Sequence, residues 1–177
     1  MSKIDDDDIR KIIQGATSIL LRENGNNPYF IHEELQKTMQ YNVGIIRTKK
    51  EIENGIKEID LLKSKFKNVK APGSSQFNPG WHEALALKNL LISAESVAKS
   101  ALIREESRGA HTREDFPSER EEWLKYNIIN KKGKDGKMET KKVKRSNPDP
   151  ELKRIAYSKL DALEKEVKID HDKLKIS

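Results

Sequence analysis

The sequence predicts an all-α protein: an up-down-up bundle of three helices, with a small β-hairpin and a C-terminal helix appended. Three observations carry this. Long stretches place apolar residues three or four positions apart, the spacing of one helix face. Aromatic residues make up only 6% of the 177, which suits thin helical packing better than a broad sandwich core. Charged residues reach 36%, well above the ~25% of typical soluble domains, as expected where long helices keep one side in water.

The first helix is predicted over about Asp6 to Glu23, with Ile9, Ile12, Ala16, Ile19 and Leu20 on one face. Its aspartates, Asp5 to Asp8, fall in the cap or first turn, where a helix N-terminus favours negative charge. A metal site on this acidic run is the sharper reading, and a solvated cap the plainer one. Asn24-Gly25-Asn26-Asn27-Pro28 then breaks the helix.

The second and longest helix is predicted from roughly Tyr29 to Lys67. Leu35, Met39, Val43, Ile46, Ile52, Ile56, Ile59, Leu62 and Phe66 keep steps of three or four apart from one six-residue gap. At 1.5 Å per residue such a helix spans on the order of 57 Å, too long to be buried on all sides, and Gly44 and Gly55 weaken it locally. A loop rich in proline and glycine, Asn68 to Gly80, leads to a third helix from Trp81 to about Arg108. Ala84, Leu87, Leu91, Ala94, Ala98 and Ala101 form its stripe, and the small side chains allow a neighbouring helix to approach closely. Three amphipathic helices on short loops make the bundle.

Past this point the pattern changes. Gly109 is placed to end the third helix in the left-handed conformation. Ser118-Glu119-Arg120-Glu121, after Pro117, predicts a capping box on one short helical turn. Lys125 to Asn130 and Met138 to Lys144 flank Lys131 to Lys137, where Asp135-Gly136 is a two-residue turn signal, so a β-hairpin with a basic tip is expected. Asn147-Pro148-Asp149-Pro150 stops it and caps a last helix, whose stripe is Leu152, Ala156, Leu160, Leu163 and Val167. The predicted organisation is therefore residues 1–117, the bundle and the polar junction that ends it; 118–146, the short turn and basic hairpin; and 147–177, a helical tail.

Composition excludes several functions. With no cysteine there is no disulfide, thiolate metal site, iron–sulfur ligation or cysteine nucleophile in this chain. No apolar run approaches the ~18 residues of a membrane span, and an N-terminus bearing Asp5 to Asp8 is no signal peptide, so an intracellular soluble chain is expected. The net charge of +6 suggests an anionic partner until it is located. Lys131 to Arg145 holds eight basic residues against Asp135 and Glu139, which equals the excess of the whole chain. A nucleic-acid-binding module working through this hairpin is the alternative function; against it, only Tyr126 is nearby for base stacking.

No catalytic constellation follows from spacing. His32, His82, His111 and His171 are far apart, and no glycine-rich phosphate loop occurs. The densest polar stretch is Arg104 to Pro117, where eight of fourteen residues are Asp, Glu, Arg or His. It is either a solvated cap with weak local ion pairs or a fixed junction in which arginine forks hold carboxylates or carbonyls of another domain.

The run Arg104, Glu106-Ser107-Arg108-Gly109-Ala110-His111, Arg113, Asp115 and Pro117 resembles the R-x-E-S-R-G-A-H-x-R-x-D-x-P motif of succinate dehydrogenase/fumarate reductase flavoprotein subunits. Leu35 to Gln40, Val43 to Arg47, Ser75 to Asn78 and Trp123-Leu124 add matches in family order, over about residues 10 to 145. The resemblance implies the C-terminal, spectrin-repeat-like three-helix domain of such a flavoprotein, that is, a fragment whose Met1 is not the start of the enzyme. The implied parent enzyme interconverts succinate and fumarate through FAD. The flavin fingerprint, the covalent flavin histidine and the substrate-binding residues belong to preceding domains, so no catalytic, cofactor or metal residue maps here. The fragment itself is expected to hold no cofactor and to be inactive. The implied partners are the iron–sulfur subunit, the flavin-binding domain and, indirectly, membrane-anchor subunits, at the cytoplasmic inner face of the membrane, with no nucleic acid. The implied contact residues are Arg104, Glu106, Ser107, Arg108, Gly109, His111, Arg113 and Asp115, with Arg108 and Arg113 as the anchoring forks.

Overall fold

A computed structural model describes residues 5–166; the predicted position of Val167 on the last apolar stripe lies outside them. The chain forms two compact units, one running to Val143 and one from Lys144 onward.

In the first unit the bundle is there, but built from different helices than the spacing predicts. Helix α1 covers Asp6–Thr17, capped by Asp5, whose carboxylate accepts a hydrogen bond from the Asp7 N–H. That is the solvated-cap arrangement. The helix stops short of Glu23 and buries none of its own residues; Ile12 is 72% exposed. Only the segment after it enters the core, through buried Ile19, while the Ala16 carbonyl accepts a hydrogen bond from the Trp81 indole N–H at 2.8 Å.

The predicted long helix is two helices. Helix α2 covers Pro28–Asn42 and α3 covers Lys49–Phe66, separated by a turn and a two-residue strand, β1, at Ile46–Arg47. The single six-residue gap in the apolar stripe, Ile46 to Ile52, marks this break: Ile46 is exposed, whereas Ile52 is fully buried. The break has a local cause. Thr48 and Glu51 form a capping box, in which Thr48 Oγ1 accepts from the Glu51 N–H and the Glu51 carboxylate accepts from the Thr48 N–H. Gly55 then lets α3 pass close to the end of α2; a Cβ there would meet Val43 Cγ2 at 2.9 Å and Asn42 Cβ at 3.0 Å.

Helix α4 covers Pro79–Ile103, ending five residues before Arg108. Its predicted stripe, Ala84, Leu87, Leu91, Ala94, Ala98 and Ala101, is buried throughout. Helices α2, α3 and α4 pack on one another around Ile31, Leu35, Ile52, Ile59, Leu62, Leu87 and Leu91. Strand β2, Thr112–Arg113, pairs in parallel with β1.

A single turn of 3₁₀ helix, Glu121–Lys125, follows; no side chain caps it, so the predicted capping box at Ser118 does not form. Strands β3, Tyr126–Lys132, and β4, Met138–Lys144, make the expected hairpin. The Gly133 N–H donates to the Lys137 carbonyl at 2.7 Å to close its turn. The hairpin lies on α4: Asn130 Nδ2 donates to Ser96 Oγ and Ser100 Oγ, and Lys99 Nζ donates to the Met138 carbonyl.

In the second unit, helix α5 covers Pro150–Tyr157, capped by Asp149 as expected. Helix α6, Leu160–Glu166, follows a break at Ser158, so the predicted single helix is two.

Candidate functional site

The segment from Arg104 to Arg120 is a polar clamp built where three chain segments converge. Because α3 and α4 run antiparallel, the C-terminus of α4 lies beside the N-terminus of α3. The last carbonyls of a helix have no partner within it and carry partial negative charge, and the first N–H groups are their positive counterpart. Both ends need a ligand.

Arg113 and Asp115 supply it. The Arg113 side chain is fully buried. Its Nη1 donates to the carbonyls of Ala101 at 2.9 Å and of Leu102 and Arg104 at 3.3 Å, closing the end of α4. Its Nε and Nη2 donate to the two Asp115 carboxylate oxygens at 2.7 and 2.6 Å, a bidentate fork. Asp115 Oδ2 in turn accepts from the Lys49 N–H, the first residue of α3, at 3.1 Å. A cation thus sits at one helix C-terminus and its paired anion at the neighbouring helix N-terminus. The Arg113 hydrogen bonds hold the Asp115 carboxyl down at about 2, against the opposing effect of burial and with help from the Lys49 N–H.

Glu106 organises the other half. It is fully buried, yet every lone-pair direction is used: it accepts from Arg104 Nη1 at 2.5 Å, from Arg108 Nε and Nη2, and from the Arg120 N–H at 3.0 Å. Burial alone pushes this carboxyl toward protonation, but the hydrogen bonds from Arg108, Arg120 and Arg104 and the Arg108 charge outweigh it, and its pKa lies below the usual carboxylate range. Arg108 also reaches Glu119 at 3.0 Å. Ser107 Oγ accepts from the Arg113 N–H at 2.8 Å and donates to the Phe116 carbonyl at 2.9 Å, tying the two halves together.

Gly109 adopts the left-handed conformation, φ +58°, but in the two-residue turn closed by reciprocal Arg108–His111 backbone hydrogen bonds, not at a helix end. A Cβ at Gly109 would meet nothing within 4 Å. Gly109→Ala is therefore expected to cost about 1–2 kcal/mol through backbone strain alone, measured by urea unfolding. A much larger loss would show a packing role that the open surroundings do not provide.

His111 Nε2 donates to the Arg104 carbonyl at 3.2 Å. Burial lowers its pKa; the bond to that carbonyl raises it, and the charges of Arg47, Arg104 and Arg113 lower it further, leaving it below its ordinary value. The folded chain therefore favours neutral imidazole. The stability it contributes is complete above the unfolded value of about 6.5 and declines as pH falls below it. Asp115 and Glu106, also depressed, add losses of the same sign below pH ~4 as the pH falls toward their folded values. The melting temperature is expected to fall on acidification in two stages, and His111→Gln, which keeps the donor at the same reach, should flatten the first.

The eight residues expected at a contact are thus brought together in one cluster. The carboxylates and carbonyls that Arg108 and Arg113 hold are this chain's own. Two participants lie far away in sequence. Lys49 offers only its backbone N–H and has no side-chain signal. Arg47 joins through β1–β2 pairing, with the Glu114 N–H donating to the Arg47 carbonyl at 3.1 Å. Trp123, buried just beyond, has both Arg104 and Lys142 over its ring at 5.3 and 3.8 Å, so the hairpin is fastened to the clamp by cations. Lys131 and Lys141 pair with Glu139, which leaves less of the basic hairpin's charge for an outside anion. A second buried carboxylate, Glu95 on α4, bridges Lys63 and Lys99. Among the described residues no group of His, Asp and Glu is arranged to hold a metal ion.

The chain's strand-to-helix junction, β1 into α3, is the kind of place where a pyrophosphate would bind a helix N-terminus. That terminus is already closed by the carboxylates of Glu51 and Asp115, which would repel it.

Residues 32–168 match the family described as "Fumarate reductase flavoprotein C-term". The chain belongs to this family. Members similar to it include a polypeptide of the fumarate reductase (CoM/CoB) of Methanothermobacter marburgensis, 41% identical over 64% of this chain and 21% of that protein. The fumarate reductase flavoprotein subunit of Helicobacter pylori is 30% identical over 86% of this chain and 20% of its own length. The chain therefore spans about a fifth of the curated relatives it matches. Among solved structures, the Mycobacterium smegmatis Sdh1 complex superposes with a TM-score of 0.77 at 33% identity, covering 92% of this chain and 28% of that one. Adenylylsulfate reductase of Archaeoglobus fulgidus superposes at 0.71 with 18% identity over 83% of this chain and 26% of that one, a likeness of fold alone. The family's bundle is thus shared with an enzyme named for a different substrate, so the fold by itself does not name one.

Proposed function

We propose that this chain is the C-terminal helical domain of a succinate dehydrogenase/fumarate reductase flavoprotein. The whole enzyme would interconvert succinate and fumarate through FAD held by another domain, and this domain would brace the flavin-binding domain and contact the iron–sulfur subunit. Membrane-anchor subunits would be reached indirectly, at the cytoplasmic inner face of the membrane. The observation that carries the reading is the polar clamp: the residues of the flavoprotein motif are those that lock the ends of α3 and α4 into one rigid bracket. A bracket whose motif arginines and carboxylates are satisfied by one another and by backbone groups of the same chain suits a support for a neighbouring domain, whereas a substrate site needs polar groups left open. No helix among the described residues is long and apolar enough to cross a membrane.

The test is flavin content and succinate:acceptor activity of the isolated 177-residue chain. The expected result is neither bound flavin nor turnover. Stoichiometric FAD bound by the chain alone would contradict the reading, because the flavin site would then lie within it.

A further inference from the structure

Among the described residues, Arg47 is the buried charged side chain whose own chemistry is left open. It is 9% exposed, and its Nε is buried with no hydrogen-bond partner. No carboxylate among the described residues pairs with it, although the neighbouring arginines 104, 108 and 113 each have one. Its surroundings are cationic: Arg113 opposes its charge, and Arg47, Arg104 and Arg113 together disfavour a proton on His111. Buried charges in native proteins are paired, and an uncompensated one is costly. The backbone that carries it is held in place by β1–β2 pairing. Next to Arg47, Ile45 and Ile46 are 72% and 63% exposed. A planar fork with unused donors, set in apolar margins, is the anatomy of an interface anchor.

We propose that Arg47 is half of an inter-domain ion pair, receiving an Asp or Glu side chain from the flavin-bearing part of the longer protein. This rests on the reading of the chain as a flavoprotein domain. It differs from the clamp in partner: arginines 104, 108 and 113 are paired within the chain, and Arg47, on β1, keeps its contact for the neighbouring domain. The incoming carboxylate supplies the anion that this cationic corner lacks, and the exposed Ile45 and Ile46 beside it in sequence offer apolar area to the same neighbour.

Two measurements test this. In the 177-residue chain, Arg47→Met is compared with Arg113→Met by thermal unfolding. Arg47→Met should melt within about 2 °C of the parent or above it, while Arg113→Met falls by roughly 6–15 °C. An equal fall for both would mean that Arg47 has an internal partner, and would overturn the proposal. Then Arg47→Lys is introduced into a tagged copy of the longer protein that carries this chain, the native assembly is purified from its source cells, and a zero-length carbodiimide is added. This reagent joins an amine to a carboxylate only when they touch. The expected product is an amide between position 47 and an Asp or Glu of the flavin-bearing part. Flavin present with no such cross-link, or with one only to residues 1–177 or to a second copy of this chain, overturns this proposal alone. An assembly without flavin overturns both this proposal and the functional reading beneath it.

Discussion

Arg113→Met is expected to destabilise the chain by about 3–5 kcal/mol, the range for removing one partner of a buried, hydrogen-bonded ion pair. The side chain is fully buried and provides five hydrogen bonds at 3.3 Å or less, three to the carbonyls that end α4 and two to Asp115. Methionine fills much of the volume, so the loss reports hydrogen bonds and charge more than a cavity. The Ala101 and Leu102 carbonyls lose this donor, the Arg104 carbonyl keeps only His111 Nε2, and Asp115 is left at the start of α3 with the Lys49 N–H. Asp115→Asn should cost less, on the order of 1–2 kcal/mol, because that carboxylate is partly exposed and its electrostatic share is screened by water. Chemical denaturation gives both numbers. Equal losses would show that the Arg113 contacts to the α4 carbonyls contribute nothing.

Glu106→Ala should cost a similar 3–5 kcal/mol. It leaves Arg104 and Arg108 without their shared buried anion and strands the Arg120 N–H, which has no other acceptor in the clamp. Glu106→Gln, which retains one acceptor oxygen, should cost roughly 1–3 kcal/mol. The difference between the two isolates charge from connectivity. If Glu106→Ala unfolds no more easily than Glu106→Gln, the carboxylate matters only as a charge and the clamp is not the tightly connected unit described above.

Much of this architecture is legible in the residues, and the failures have physical causes. The α4 stripe is visible because it is long, regular and backed by a packed core on one side. The hairpin is visible because Asp135-Gly136 is a local turn signal needing no tertiary context. The second helix is misread from spacing because two signals compete: apolar periodicity bridges Ile46 and Ile52, while Thr48 and Glu51 already spell a helix start. The capping box prevails, since it satisfies the free N–H groups of α3 and lets α2 fold back on it. Helix α1 shows the opposite limit. Its spacing describes a face but cannot say what covers it, and Ile9, Ile12 and Ile13 are exposed.

At the clamp, composition locates a dense polar stretch, and the motif identifies its family. Neither shows which arginine holds which carboxylate. The Lys49–Asp115 hydrogen bond joins groups 66 positions apart through a backbone N–H that every non-proline residue carries. That Arg47 has no carboxylate partner among the described residues is likewise visible only in the packed chain, since in sequence it falls within the single long helix predicted from Tyr29 to Lys67.

The most direct test of the central claim, that this chain is a domain of a succinate/fumarate flavoprotein, is optical. The native assembly is purified through a tag on this chain, and its flavin absorbance is followed while succinate and then fumarate are added. Succinate should bleach the flavin as it gives up two electrons and two protons, and fumarate should restore the oxidised spectrum. An assembly without flavin, or one whose flavin responds to neither acid, would contradict the account.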